Sequence, residues 1–128
     1  MALGGLDHVN IRVSTDRLKP VRDFYVDLLG LQEGERPPFP FPGHWLYLGG
    51  QPVIHLAARE GLEVGTDTGG IDHVAFSAHD LASMRARLEQ QGVAFDERTV
   101  PLLGLHQLFI TDPAGVKVEL NFQASEAA

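Results

Sequence analysis

Four residues carry most of the chemistry legible in this sequence: His8, His55, His73 and Glu119. They fall into two pairs in step. His73 follows His8 at an offset of 73 − 8 = 65, and Glu119 follows His55 at 119 − 55 = 64. A lone histidine in a strand is usually a hydrogen-bonded structural residue, but four polar residues at matching places in a repeat point to one shared role. Three imidazoles and a carboxylate form a nitrogen–oxygen donor set. Such a set suits zinc, nickel, iron(II), cobalt or manganese better than calcium or magnesium, which prefer all-oxygen shells. The chain has no cysteine, so thiolate nucleophiles, disulfides and zinc–sulfur sites are excluded. The expectation is one divalent metal ion held by His8, His55, His73 and Glu119, with His55 able to act instead as a base or outer partner.

The elements that must position these residues repeat as well. Leu6-Asp7-His8-Val9-Asn10-Ile11 returns as Ile71-Asp72-His73-Val74-Ala75-Phe76. Each is followed by an amphipathic helical run. The first has Thr15 or Asp16 as cap, Leu18, Val21, Phe24, Tyr25, Leu28 and Leu29 on its apolar face, and Gly30 behind. The second has Asp80, then Leu81, Met84 and Leu88, and Gly92. Strand-like stretches come next, Leu46–Leu48 and Pro52–Leu56 in one half, Gln107–Ile110 and Val116–Phe122 in the other. Hairpin turns at Gly49-Gly50 and Asp112-Pro113-Ala114-Gly115 join them. Each half therefore reads β-α-β-β-β, giving an α+β fold of two tandem modules, about 5–58 and 70–123, in one domain spanning 1–128. Residues 59–70 read as the linker and 37–43 as a proline-stiffened loop, too apolar for a solvated tether.

Strand parity sorts the faces. His8 goes with Asn10 and Arg12, His73 with Ala75 and Ser77, and Glu119 with Lys117 and Asn121, while Val118, Leu120 and Phe122 point to a helix-covered core. Asn10, Tyr47 and Gln107 are the further candidates for touching a small-molecule substrate, with His44, Trp45 and His106 as neighbours.

The 128 residues are 44% hydrophobic and 21% charged, with a net charge of −7. That is the balance of a globular domain. Without a basic stripe, nucleic acid and anionic membrane are poor partners. The absence of a spanning run or signal-like start makes the cytoplasm the expected location.

The chain resembles the glyoxalase/bleomycin-resistance/extradiol-dioxygenase superfamily, also called vicinal oxygen chelate. The marks are Leu6-Asp7-His8-Val9, Phe24-Tyr25-x-x-Leu28-Leu29-Gly30, Ile71-Asp72-His73-Val74-Ala75-Phe76 and Asp112-Pro113-x-Gly115-x-x-x-Glu119-Leu120. The resemblance implies paired βαβββ modules curling into a half-open, barrel-like cleft and ligands on the first and last strands of each module. It also implies a homodimer, in some members with sites built across the subunit boundary.

Several activities are implied. A glyoxalase I-like lyase or isomerase moves a proton through a metal-bound enediolate, with Glu119 as the natural base and Arg12 matching an arginine that anchors a glutathione carboxylate. Against this, His55 stands where glyoxalase I has a glutamate, and Arg59 where it has an asparagine. An extradiol dioxygenase using iron(II) is the alternative, although its usual tyrosine ten residues before the glutamate is Phe109 here. A non-catalytic drug-binding protein of the bleomycin-resistance type is the third reading.

Overall fold

A computed structural model describes residues 2, 4–61 and 68–128. The chain divides into two compact units, Met1–Val64 and Gly65–Ala128. Half of the expected linker, residues 62–67, lies outside the described residues.

The first unit runs β1 (Val9–Val13), α1 (Leu18–Asp23), β2 (Gln32–Gly34), β3 (Gly43–Leu48) and β4 (Gln51–Ala58), with sheet order β1-β4-β3-β2. The second runs β5 (His73–Ser77), α2 (Leu81–Gln90), β6 (Asp96–Val100), β7 (Leu105–Thr111) and β8 (Lys117–Gln123), in the equivalent order β5-β8-β7-β6. In each sheet the first strand pairs parallel with the last, and the other pairings are antiparallel. The class is α+β, with two open four-stranded sheets, neither closed into a barrel.

Apolar alternation explains which strands were visible in sequence. Leu46, Ile54 and Leu56 of the first sheet, and Leu108, Ile110, Val118, Leu120 and Phe122 of the second, are buried. β2 is wholly exposed and β6 nearly so. Such polar edge strands carry no periodic signal, and sequence reasoning did not locate them. Gly49 and Gly50 both adopt positive φ (59° and 82°), the requirement of a tight two-residue hairpin turn.

The first helix differs from the single amphipathic run expected. α1 ends at Asp23 and the chain continues through Leu28 as a wider turn of π type, in which Leu29 N–H reaches the Phe24 carbonyl at 3.2 Å. Adjacent Phe24 and Tyr25 are both in the core, rings edge to face at 5.1 Å, and with Val21 and Leu28 they keep the inward spacing of an ordinary helix. No side chain caps the first helical segment, which begins as a tighter turn over Thr15–Arg17. In α2 the expected cap is present: the Asp80 carboxylate accepts from Ser83 N–H at 3.3 Å.

One packing device occurs twice. In the first unit Arg22 of α1 donates to Glu33 of β2 at 2.9 Å, and His44 Nδ1–H of β3 donates to the same carboxylate at 2.5 Å. In the second, Arg85 of α2 donates to Glu97 of β6 at 2.9 and 2.6 Å, and His106 Nε2–H of β7 donates to it at 2.7 Å. Each carboxylate ties a helix to two neighbouring strands. The arrangement also corrects the sequence expectation for both histidines. His44 and His106 lie on the helix-covered faces, opposite Trp45 and Gln107, because adjacent strand residues point to opposite sides.

Candidate metal and substrate site

The second unit presents one continuous polar face. Its register sets Ala75 beside Glu119, Ser77 beside Asn121, and Gln107 opposite Asn121. From these pairings a chain of contacts follows. Arg98 donates to Gln107 Oε1 at 3.0 and 3.3 Å, Gln107 Nε2–H to Asn121 Oδ1 at 3.0 Å, and Asn121 Nδ2–H to Glu119 Oε2 at 2.9 Å. Glu119 is thereby oriented at one oxygen while its other, Oε1, lies 3.6 Å from His73 Nε2. The turn before β8 fixes this position, since Asp112 Oδ1 accepts from Ala114 N–H at 2.8 Å and Val116 N–H at 2.9 Å. That is the physical content of the Asp-Pro-x-Gly motif.

His73 Nδ1–H donates to Asp72 at 2.8 Å, and the same carboxylate accepts from Lys117 Nζ at 3.3 Å. These two bonds, that from His73 first, hold Asp72 below the usual carboxylate range. A carboxylate accepts only, so Nδ1 carries a proton, and Nε2 is the ring atom turned toward Glu119. The separation of 3.6 Å is too long for a hydrogen bond. Two donors each about 2.1 Å from one tetrahedral ion stand about 3.4 Å apart. The donor chemistry and spacing of His73 and Glu119 fit a divalent metal.

The first unit repeats part of this wiring. His8 Nδ1–H donates to Asp7 at 2.7 Å, again freeing Nε2. His55 differs from its counterpart Glu119. It is buried, its Nε2–H donates to the Pro52 carbonyl at 3.0 Å, and its ring lies between those of His8 (3.8 Å, 10°) and Trp45 (3.9 Å, 12°). Burial, then the nearby His8, pushes the His55 pKa down, so its ring is neutral at pH 7. Face-to-face rings cannot both aim an in-plane lone pair at one ion, so in this arrangement His8 and His55 do not chelate together. Among the described residues no three His, Asp or Glu side chains gather as a metal cage.

The substrate candidates separate. Asn10 pairs with His55 and lines a hollow of about 380 Å³ in the first unit, alongside His8, Trp45 and Arg36. Arg12 lies exposed one step further along β1, beside Ala57. The Tyr47 hydroxyl is given to the Glu35 carbonyl at 2.6 Å. Gln107 belongs to the network around Glu119. Sequence reasoning missed Arg36 and Arg98, whose neighbours in space come from other strands and a proline loop.

The family model for the Glyoxalase/Bleomycin resistance protein/Dioxygenase superfamily matches residues 5–120. The chain belongs to this superfamily. Solved structures of the same fold include a glyoxylase/bleomycin resistance protein/dioxygenase domain from Frankia sp. EAN1pec, 22% identical with a TM-score of 0.76, covering 95% of this chain and 99% of that one. Another is TnmS3, an antibiotic binding protein from Streptomyces sp. CB03234, 21% identical with a TM-score of 0.68, covering 96% and 98%. A third is lactoylglutathione lyase from Agrobacterium tumefaciens, 18% identical with a TM-score of 0.66, covering 95% and 96%. At these identities the likeness establishes the fold. No curated protein matches the chain. Among the described residues no helix is long and apolar enough to cross a membrane.

Proposed function

We propose that this superfamily member is a divalent-metal-dependent enzyme acting on a small molecule, of the lyase or isomerase type, with His8, His73 and Glu119 as the metal-binding set and His55 as an outer partner stacked on His8. One observation carries the reading: His73 Nε2 and Glu119 Oε1 stand 3.6 Å apart, each oriented by a second partner, Asp72 and Asn121. Histidine ligands characteristically give their other ring N–H to a carboxylate, and both Asp7–His8 and Asp72–His73 are wired so. A bound divalent ion would supply Lewis-acid stabilisation of negative charge developing on substrate oxygens.

The residues divide the remaining work. Glu119 would serve as the base: its Oε1, released from the metal-binding set when substrate oxygens take its place, would take the proton from the substrate carbon and return it to the neighbouring one, while Asn121 keeps Oε2 fixed. His55, neutral and donating to Pro52, adds no charge to the set. Proton transfer is favoured over ring cleavage because Phe109, directly across from Glu119, offers no hydroxyl. A homodimer and a cytoplasmic location belong to the same proposal.

Elemental analysis after reconstitution, on wild type and on a His73→Ala, Glu119→Ala double variant, tests the metal. Equal content in the two sinks the proposal. Turnover of the methylglyoxal–glutathione hemithioacetal is expected from metal-loaded protein, whereas oxygen uptake with catechol by the iron(II) form would favour the dioxygenase. A second reading, ligand binding without turnover, draws on the His8–His55–Trp45 stack, in which the rings face one another. Metal-independent binding with no reaction in either assay would favour it. Light scattering and cell fractionation test the dimer and the location.

A further inference from the structure

The hollow in the first unit has a wall built from residues other than the proposed metal ligands. In the proline loop before β3, the rings of Phe39 and Phe41 lie parallel, 5.3 Å apart and 4° from coplanar orientation. The Arg36 guanidinium carbon sits 5.1 Å from one ring centroid and 5.2 Å from the other, and its Nη2–H donates to the Phe41 carbonyl at 2.7 Å. Trp45 closes the adjoining side, 6.4 Å from Phe39. Gly43 makes the arrangement possible: a Cβ there would collide with the Leu56 carbonyl oxygen and crowd the guanidinium nitrogens.

Two features of this wall are unfinished. Arg36 meets no carboxylate among the described residues, in a chain of net charge −7, and its buried Nε–H has no acceptor there. Phe39 and Phe41 remain 42% and 40% exposed beside that cation. A partly desolvated guanidinium without a counter-charge is a strong receptor for a carboxylate, which it grips through two parallel bonds. Uncovered aromatic faces next to it favour a flat π system. Asp7, the acidic residue lining the hollow, is already engaged by His8.

We propose that Arg36, Phe39, Phe41 and Trp45 form a substrate subsite for an aromatic carboxylate, Arg36 receiving the acid and the three rings the arene. This deepens the reading above by naming a substrate class, and it rests on that reading only for the claim that the occupant is turned over. Binding at the wall needs no metal, so the two can fail separately.

Trp45 is the single tryptophan, and its indole N–H signal reports on the wall in metal-free protein kept in chelator. Titration with 2-naphthoate is expected to shift that signal saturably, with affinity at least about tenfold above 2-naphthamide, which lacks the charge, and cyclohexanecarboxylate, which lacks the arene. Arg36→Gln should bring naphthoate down to the naphthamide level, Arg36→Lys should recover part of the loss, and Phe39→Leu should weaken both naphthyl probes. Unperturbed amide spectra elsewhere certify that each variant is folded. Equal binding of naphthoate and naphthamide, or unchanged naphthoate affinity in Arg36→Gln, overturns the subsite whatever the metal analysis gives. Naphthoate preference in a protein that takes up no metal would uphold the subsite and sink the enzyme reading alone.

Discussion

The ring of His55 lies face to face with that of Trp45, centroids 3.9 Å apart and planes 12° from parallel. Because His8 covers the other face at 3.8 Å, His55 is the middle of a three-ring ladder, and its loss is felt on both sides. His55→Ala removes two stacking contacts and the bond to Pro52. The expected cost is about 1–3 kcal/mol at neutral pH, measured by urea unfolding followed at Trp45. The His55 pKa is depressed in the folded state, so its contribution is present above the ordinary value of 6.5 and is lost as pH falls through the folded value. The gap between wild type and variant should narrow on acidification. A gap that widens would show that the ring is not buried in its neutral form.

Glu97 offers a second pH test. His106, then Arg85, hold its carboxyl below the usual carboxylate range. A depressed acid stabilises the fold above its ordinary pKa, 4.5, and the contribution disappears as pH drops through the folded value. Glu97→Gln should therefore melt below wild type near pH 7 and converge with it in acid. Its side chain is one-third exposed (33%), so the difference should be modest, at most about 1 kcal/mol per ion pair. Thermal melts across the acid range decide it.

Asp112 should matter through one atom. Oδ1 accepts both backbone bonds that shape the turn before β8. Asp112→Ala should cost about 2–4 kcal/mol, whereas Asp112→Asn, which retains an Oδ1 acceptor, should cost distinctly less. Equal losses in urea unfolding would place the role of Asp112 outside the turn.

If His73 ligates a metal, Asp72 acts through it by holding the ring. Asp72→Asn should weaken metal affinity about 10- to 100-fold without removing a ligand, read by competition with a chromophoric chelator. His73→Ala should lose more. An unchanged affinity in Asp72→Asn would mean the Asp72–His73 bond orients nothing.

Much of this was legible in the residues. The module order, the Asp80 cap, the hairpin turns and the sharing of a polar face by Glu119 and Asn121 follow from spacing and parity alone, because burial of one face imposes a period. β2 and β6 were not visible because nothing in them is buried. The π-type turn after α1 was not visible because Val21, Phe24, Tyr25 and Leu28 keep the spacing of a regular helix, and only the Leu29-to-Phe24 backbone bond departs from it. The Arg36 wall was hidden for a different reason. Its members lie within one short stretch, but what they make depends on how four prolines bend it and on the close approach that Gly43 allows.

The Arg–Glu–His clamp, present as Arg22, Glu33 and His44 and again as Arg85, Glu97 and His106, bears on what the two halves are free to vary. Both copies share one layout, while the paired positions 55 and 119 have parted into an imidazole and a carboxylate. The clamp therefore tolerates either partner at the last strand, because it fastens the helix through the opposite face of the sheet. The fastening of helix to sheet is thus common to both halves, while the residues facing the proposed chemistry differ between them.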